Sequence, residues 1–136
     1  MGRFEEIKVG DSATFTKTVS ETDIVLFAGI TGDLNPVHID EGFASKTIFQ
    51  KRIAHGMLSA GFISTVLGTK LPGPGTIYLS QTLSFRAPVF IGDSITARVE
   101  VIEKLPEKQR LRLKTECFNQ EGKLITTGEA LVMFKE

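Results

Sequence analysis

The sequence predicts an α+β domain in which a curved antiparallel β-sheet wraps around one long apolar helix. Three features of the sequence lead to this prediction. A strand-like segment lies near the N-terminus, an almost uninterrupted apolar segment spans residues 56–69, and four segments of alternating hydrophobicity follow it. At 136 residues the chain has the length of one ordinary domain, so we expect a single domain over residues 1–136.

The first third of the chain alternates between strand, helix and loop signals. Residues 13–19 are rich in β-branched and aromatic types, which predicts a strand. Ser20–Asp23 has the form of a capping box before apolar residues at helical spacing, so a short helix is expected over residues 21–29. The run 31–40 is dense in Gly, Asp, Asn and Pro and predicts a shaped loop, after which Asp40 can cap another short helix.

The segment 56–69 is apolar nearly all round, with only small or hydroxyl-bearing residues interrupting it. A helix of this composition is buried on most of its sides. At a rise of about 1.5 Å per residue it spans roughly 20 Å, which is the width of a small sheet. We therefore expect it to occupy the centre of the domain.

The second half of the chain has the period of antiparallel strands, with one buried and one wet face in each strand. The predicted strands cover residues 76–86, 94–104, 109–118 and 123–134. In the first of them the residues expected to face the core are Ile77, Leu79, Leu83 and Phe85. A five-stranded sheet leaves edges and one face to cover, so we expect a homodimer or a higher homo-oligomer.

The composition limits the partners and the location that can be expected. Sixteen basic and sixteen acidic residues cancel, so nucleic acid and membrane surfaces are not expected partners. The single cysteine, Cys117, excludes an intramolecular disulfide and a cysteine-based metal site, which is typical of a reducing compartment. Residues 1–6 lack the apolar core of a secretory signal, and no segment has the length of a membrane span. We expect a cytoplasmic protein, or an organelle-matrix protein if a targeting peptide has been removed.

Asp33 and His38 are the first candidates for chemistry. A carboxylate and an imidazole five residues apart, with Asn35-Pro36 forcing a non-helical path between them, can converge as a general acid/base pair. The competing interpretation is an ordinary Asx turn at Asp33 with His38 as a spectator. Their spacing alone favours neither interpretation.

Gly56 is a second candidate, because it begins the apolar helix. Free N–H groups at a helix N-terminus attract developing negative charge, and a glycine lets a carbonyl oxygen come close to them. The Gly56 N–H is thus a candidate oxyanion donor, although a glycine needed only for tight packing explains the pattern equally well. His55 beside it is better interpreted as a hydrogen-bonded core residue. Two histidines without paired carboxylates at ligand spacing make a metal site unexpected.

Four motifs resemble the MaoC-like hot-dog family, and within it the (R)-specific enoyl-CoA hydratases. The most specific is Phe27-Ala-Gly-Ile-Thr-Gly-Asp-Leu-Asn-Pro-Val-His38, which is followed by Ala44 and has the form of the family's hydratase signature. The other three motifs extend the resemblance over nearly the whole chain, at residues 54–57, 71–75 and 84–93.

This resemblance implies a reaction and a catalytic set. Asp33 and His38 would hold and activate a water molecule that adds to a trans-2-enoyl-CoA, giving the (R)-3-hydroxyacyl-CoA, or would run the reverse dehydration. The Gly56 N–H would polarise the thioester carbonyl, because protonation of the α carbon requires the thioester to carry negative charge as an enolate. The only CoA expected is that of the substrate, and no metal or organic cofactor is implied.

Three further residues take roles by resemblance in binding the substrate. Asn35 would shape the loop that holds the acid/base pair. Ser64 would support the site through a hydrogen bond, and Leu67 would border the acyl chain and limit its length.

Three alternatives stay open on the sequence. The nearest is a 3-hydroxyacyl-(acyl-carrier-protein) dehydratase of fatty-acid synthesis, which would share the site and differ in the carrier. An acyl-CoA thioesterase and a non-catalytic acyl-binding module of the same fold are disfavoured by the joint presence of Asp33, Asn35 and His38. Chain-length preference, direction, pathway and the proton roles of Asp33 and His38 are not determined by the sequence.

Overall fold

The computed structural model describes residues 4–135. The predictions for the N-terminal segment and for the ends of the domain therefore fall outside the described residues at Met1 to Arg3 and at Glu136. Five strands form one antiparallel sheet in the order β1-β3-β4-β5-β2. The strands are β1 (Ser12–Thr18), β2 (Ile77–Phe85), β3 (Ser94–Leu105), β4 (Arg110–Phe118) and β5 (Leu124–Met133). The α-helices are α1 (Glu21–Thr31), α2 (Pro36–Ile39), α3 (Glu41–Ala44) and α4 (Gly56–Thr69), and 3-10 turns lie at Phe4–Glu6 and Pro106–Lys108.

The long helix α4 lies across the sheet and contacts all five strands. This arrangement confirms the predicted α+β fold with a sheet packed around an apolar helix. The α4 bounds, Gly56–Thr69, are those predicted from the apolar segment. Within residues 4–135, no helix combines the length and the apolar character needed to cross a membrane.

Helix α1 begins at the predicted capping box. The Ser20 hydroxyl accepts a hydrogen bond from the Asp23 N–H at 3.1 Å, and the Asp23 carboxylate accepts one from the Ser20 N–H at 2.9 Å. The helix ends two residues later than predicted, at Thr31, where Gly32 takes a left-handed conformation with φ of 80°. Glycine adopts that conformation without steric cost, so it terminates the helix and turns the chain into the next segment.

The prediction of a purely non-helical path between Asp33 and His38 is wrong. Pro36–Ile39 forms the one-turn helix α2, with the Asn35 side chain accepting a hydrogen bond from the Val37 N–H at 3.2 Å. Proline fits the first position of a helix because its missing N–H would have no partner there. Asp40 caps the next short helix, α3, as predicted, through its bond from the Phe43 N–H.

The core lies between α4 and the two central strands. The predicted alternation is confirmed, because every second residue is fully buried from Ile95 to Val101 of β3 and from Leu111 to Cys117 of β4. These residues are Ile95, Ala97, Val99, Val101, Leu111, Leu113, Thr115 and Cys117. In β3 the alternation stops after Val101, where the register with β4 shifts. Ile63, Val66 and Leu67 of α4 pack against the buried residues of both strands and are at most 1% exposed.

Strand β2 departs from the prediction of one buried face. Ile77, Leu79 and Phe85 are 47%, 38% and 52% exposed, and Leu83 is half-buried. The cause is position, because β2 is an edge strand and its register with β5 shifts between Tyr78 and Ser80. No hydrophobic pattern in the sequence distinguishes an edge strand from a central one.

Helix α4 is also less enclosed than its composition predicts. Its buried residues face the sheet, whereas Met57, Gly61 and Ser64 lie on the opposite side and are exposed. The outer side of α4 and the apolar face of β2 were predicted to be buried in the core. In this single chain both are largely exposed.

Candidate active site

His38 is held on α2 by hydrogen bonds from a neighbouring segment. Its ring is buried, and Nδ1 lies 2.8 Å from the Ile53 carbonyl oxygen. A carbonyl only accepts, so Nδ1 carries the proton and Nε2 is left with a free lone pair in the neutral ring. Arg52 Nε donates to the His38 carbonyl at 2.7 Å, and the same side chain pairs with Glu21 at the start of α1. These bonds fix the position of α2 relative to the rest of the loop.

The environment of His38 favours the neutral imidazole. Burial lowers the pKa of His38 below the usual value of 6.5, and the nearby His55 lowers it further. The hydrogen bond to Ile53 and the proximity of Asp33 act in the opposite direction without cancelling the shift. At neutral pH, His38 is therefore present mainly in the form that accepts a proton.

Asp33 lies beside His38 and also makes a local turn. Its carboxylate accepts a hydrogen bond from the Asn35 N–H at 3.2 Å, and its own N–H donates to the Thr31 hydroxyl. One ligand-type atom from each of Asp33, His38 and His55 lies within 4.8 Å of the others. The two interpretations of Asp33, turn residue and neighbour of His38, thus hold together, because the turn brings the carboxylate to the imidazole.

His55 is the member of this cluster that the sequence reasoning undervalued. It is buried, stacks on the His38 ring with centroids 3.8 Å apart, and lies 4.7 Å from the Phe27 ring. Its Nε2 donates to the Asp33 carbonyl at 3.0 Å, which links two residues 22 positions apart in the chain. Its Nδ1 is buried with no hydrogen-bond partner among the described residues. The sequence shows that His55 is adjacent to Gly56, but residue spacing does not predict its contact with Asp33.

The three clustered residues carry ligand types that zinc accepts. A metal ion bound to histidine lies in the plane of the ring, about 2.0–2.1 Å from the nitrogen. The His38 and His55 rings are stacked with an interplanar angle of 29°, so their planes do not converge readily on one point at that distance. The stacking therefore suits packing and proton chemistry better than metal coordination.

Gly56 opens α4 at the wall of a cavity of about 380 Å³ that His38 also lines. As the first helical residue, Gly56 has an N–H without an acceptor inside the helix. The Phe85 ring lies directly over it, because a Cβ added to Gly56 would come within 2.8 Å of two ring carbons. The glycine therefore permits a close approach and leaves a backbone donor at the cavity wall.

The structure brings together only some of the predicted site residues. Asp33, His38 and Gly56 lie around one region, and Asn35 shapes the loop through its caps on α2. Ser64 is on the exposed side of α4, and Leu67 is buried in the core, so neither lines the cavity of His38 and Gly56. The roles assigned to Ser64 and Leu67 stay predictions without support from this geometry.

Similarity to known proteins covers nearly the whole chain. A family model described as the MaoC like domain matches residues 6–123. An (R)-specific enoyl-CoA hydratase of Rhodospirillum rubrum is 57% identical over 96% of this chain and 90% of that protein. The unliganded R-hydratase structure from Pseudomonas aeruginosa is 51% identical, with a TM-score of 0.93 over 98% of this chain and 85% of its own. A mitochondrial 3-hydroxyacyl-(acyl-carrier-protein) dehydratase of Arabidopsis thaliana is more distant, 36% identical over 91% of this chain and 75% of that protein.

Proposed function

The chain belongs to the MaoC-like domain family, and from that membership we propose that it is an (R)-specific enoyl-CoA hydratase. It is a hydro-lyase, an enzyme that adds water to a double bond or removes it. The substrate is a trans-2-enoyl-CoA, and the product of syn addition is the (R)-3-hydroxyacyl-CoA. The carrier-protein dehydratase is the weaker alternative, because the proteins of that name are more distant relatives.

The observation that carries this proposal is the juxtaposition of Asp33, His38 and Gly56. The first two offer proton-accepting groups within 4.8 Å of each other, and the third presents a free N–H on the cavity that His38 lines. A hydration needs both parts, since one activates water and the other stabilises the charge that water's attack produces.

The reaction follows from these groups with all atoms accounted for. Water held between Asp33 and His38 attacks C3 of the enoyl group and loses one proton to the pair. The electrons of the C2–C3 double bond move toward the thioester carbonyl, whose oxygen becomes an enolate oxygen. C2 then takes one proton from the pair, which ends the turnover unchanged. The neutral His38 ring, with Nδ1–H held by Ile53, leaves Nε2 free to accept the proton from water.

Gly56 stabilises the enolate. Its N–H lies at the positive end of the α4 dipole, where a negative oxygen is favoured over a neutral one. The bond therefore strengthens as charge develops and lowers the barrier, rather than only tightening substrate binding.

The experiment is hydration of crotonyl-CoA, with loss of enoyl absorbance followed by chiral analysis of the product. The expected product is (R)-3-hydroxybutyryl-CoA, and Asp33→Asn and His38→Gln should lose nearly all activity while keeping the melting temperature of the parent. A parent without activity, an (S) product, or folded variants at full rate would contradict the proposal.

Two parallel assays separate the alternatives that share the fold. Turnover of the same acyl group on CoA and on acyl carrier protein tests the carrier, and we expect CoA to be preferred. Release of free thiol from the acyl-CoA tests hydrolysis, and release faster than enoyl loss would identify a thioesterase.

We also propose that the chain forms a homodimer through β2 and the outer side of α4. A second cavity of about 510 Å³ lies between these elements, and its lining includes the apolar residues Met57, Leu79 and Leu83. Leu79→Glu should raise the monomer fraction in analytical ultracentrifugation, because it places a charge on an uncovered strand edge. Ile48→Glu is the matched control, since Ile48 is 90% exposed elsewhere on the surface. Equal behaviour of the two variants would contradict this interface.

A cytoplasmic location completes the proposal. Cys117 is fully buried as a free thiol, and burial raises its pKa to about 12, so it is protected from oxidation rather than used for cross-linking. A fluorescent fusion should distribute through the cytosol, and enrichment in an organelle would contradict this assignment.

A further inference from the structure

Strand β5 carries a buried polar group that the reaction described above does not use. Thr126 is fully buried, and its Oγ1 has no hydrogen-bond partner among residues 4–135. A buried hydroxyl without a partner destabilises the folded chain, because it loses its bond to water and gains none in return. Such a group at a cavity wall calls for an explanation, and a catalytic role is one of those that apply to native proteins.

The sheet register places Thr126 under the first turn of α4. Thr126 lies opposite Phe85 on β2 and opposite Cys117 on β4. Directly opposed residues of neighbouring antiparallel strands point to the same face. Phe85 lies over Gly56, and Cys117 Sγ lies 3.6 Å from the Ser59 carbonyl oxygen, so this row faces the α4 turn that begins at Gly56.

Thr126 also lines the cavity that contains His38 and Gly56. Another buried threonine in the sheet, Thr115, provides a direct contrast. Its hydroxyl accepts a hydrogen bond from Gln81 Nε2 at 2.9 Å, although it is as buried as Thr126. The sheet therefore gives the buried hydroxyl away from the cavity a partner, and leaves the one at the cavity wall without a partner among residues 4–135.

We propose that Thr126 is a substrate-binding residue whose hydroxyl donates a hydrogen bond to the thioester carbonyl oxygen that also receives the Gly56 N–H. This inference rests on the proposed function, since it needs an acyl thioester in the cavity. The carbonyl oxygen has two lone pairs and accepts two donors. Its negative charge grows as water attacks C3, so the Thr126 bond is stronger in the transition state than in the bound substrate.

The kinetic test compares Thr126→Val, which removes the hydroxyl at nearly constant shape, with Thr126→Ser, which keeps it. We expect Thr126→Val to lower kcat for crotonyl-CoA by about 100- to 1,000-fold, because one oxyanion donor is lost. Thr126→Ser should keep most of the parent's kcat. Thr115→Val is the control, and it should leave kcat close to that of the parent.

The stability test uses the same variants without substrate. Thr126→Val should melt at or above the temperature of the parent, since it removes a hydroxyl that has no partner in the free protein. Thr115→Val should melt lower, because it removes one of the two acceptors of Gln81 Nε2. A Thr126→Val variant that melts as low as Thr115→Val would show that the hydroxyl serves the fold, and would overturn the proposal.

A binding test isolates the acyl group. Isothermal titration with butyryl-CoA, which is not hydrated, and with free CoA should show weaker butyryl-CoA binding to Thr126→Val by about 2- to 10-fold and unchanged CoA binding. Equal loss for both ligands, or a kcat equal to that of the parent, would overturn the assignment of Thr126. A parent that neither hydrates crotonyl-CoA nor binds butyryl-CoA would instead contradict the proposed function, and this inference with it.

Discussion

The two ends of α4 differ in the residues that surround them. The C-terminal half packs Ile63, Val66 and Leu67 on central strands whose inner residues are buried and, apart from the hydrogen-bonded Thr115, apolar. The N-terminal half begins beside a cavity, with two buried polar atoms that have no partner among residues 4–135, His55 Nδ1 and Thr126 Oγ1.

This difference assigns stability and chemistry to opposite ends of one helix. A closed apolar end contributes free energy of folding through burial, whereas buried polar groups without a hydrogen-bond partner reduce that free energy. Substitutions at the two ends should therefore differ in kind. Those at the closed end should lower stability at constant turnover, and those at the open end should lower turnover at nearly constant stability.

The largest effect is expected at the closed end. Ile63→Ala removes buried methyl groups from a position that is 0% exposed and should lower the free energy of unfolding by about 2–5 kcal/mol. Chemical denaturation measures this loss, and kcat at a temperature where the variant stays folded should remain within a fewfold of the parent. A large loss of kcat in the folded variant would break the separation of the two ends.

His55→Phe tests the open end. Phenylalanine keeps a ring to stack on His38 but removes the hydrogen bond to the Asp33 carbonyl, so kcat should fall by roughly 100-fold, the effect of misplacing a catalytic group. His55→Gln is the control, because its side-chain amide can still donate to Asp33. If the two variants show the same kcat, the hydrogen bond is not what positions Asp33.

Leu67→Val tests whether Leu67 borders the acyl chain, as the family resemblance implies, or only packs in the core, as the structure shows. Leu67 is 1% exposed and lies in the core, so the substitution should lower the free energy of unfolding by about 1 kcal/mol and leave crotonyl-CoA turnover within twofold. Turnover of a series of longer enoyl-CoA chains is the measurement. A shift in chain-length preference would support the role that resemblance assigns to Leu67 and would extend the open region along α4.

The smallest effect is a pH dependence from His38. Burial keeps its pKa in the folded chain below the usual 6.5, so the unfolded chain binds the proton first as pH falls. This contribution to stability is therefore complete above about 6.5 and is lost as pH falls through the interval down to the folded pKa. Activity should fall at the lower end of that interval, where the folded His38 becomes charged. NMR titration of His55→Phe should show a raised His38 pKa, because the lowering effect of His55 is removed.

The sequence predicted the elements that depend on local pattern and burial. The bounds of α4, the capping box at Ser20 and the inner faces of β3 and β4 all follow from residue type and spacing. The exposure of β2 could not be predicted, because edge position depends on strand order rather than on the strand's own residues.

The site was predicted unevenly for a similar reason. Asp33 and His38 are five residues apart, and their spacing alone left an acid/base pair and an Asx turn equally open, so the prediction of the pair rested on the family resemblance. The contact of His55 with Asp33 joins residues 22 positions apart, and Thr126 reaches the cavity only through the pairing of three strands. Contacts between residues so far apart in the chain are set by the tertiary fold, so they could not be predicted from a single sequence.

The close approach of Phe85 to Gly56 links catalytic activity to the proposed dimerisation. The Phe85 ring beside the Cα of Gly56 belongs to the uncovered edge strand, so one side chain touches both the reaction cavity and the surface proposed for pairing. Any displacement of that strand on dissociation moves the ring against Gly56. We therefore expect specific activity to decline on dilution, which would make turnover a readout of subunit concentration.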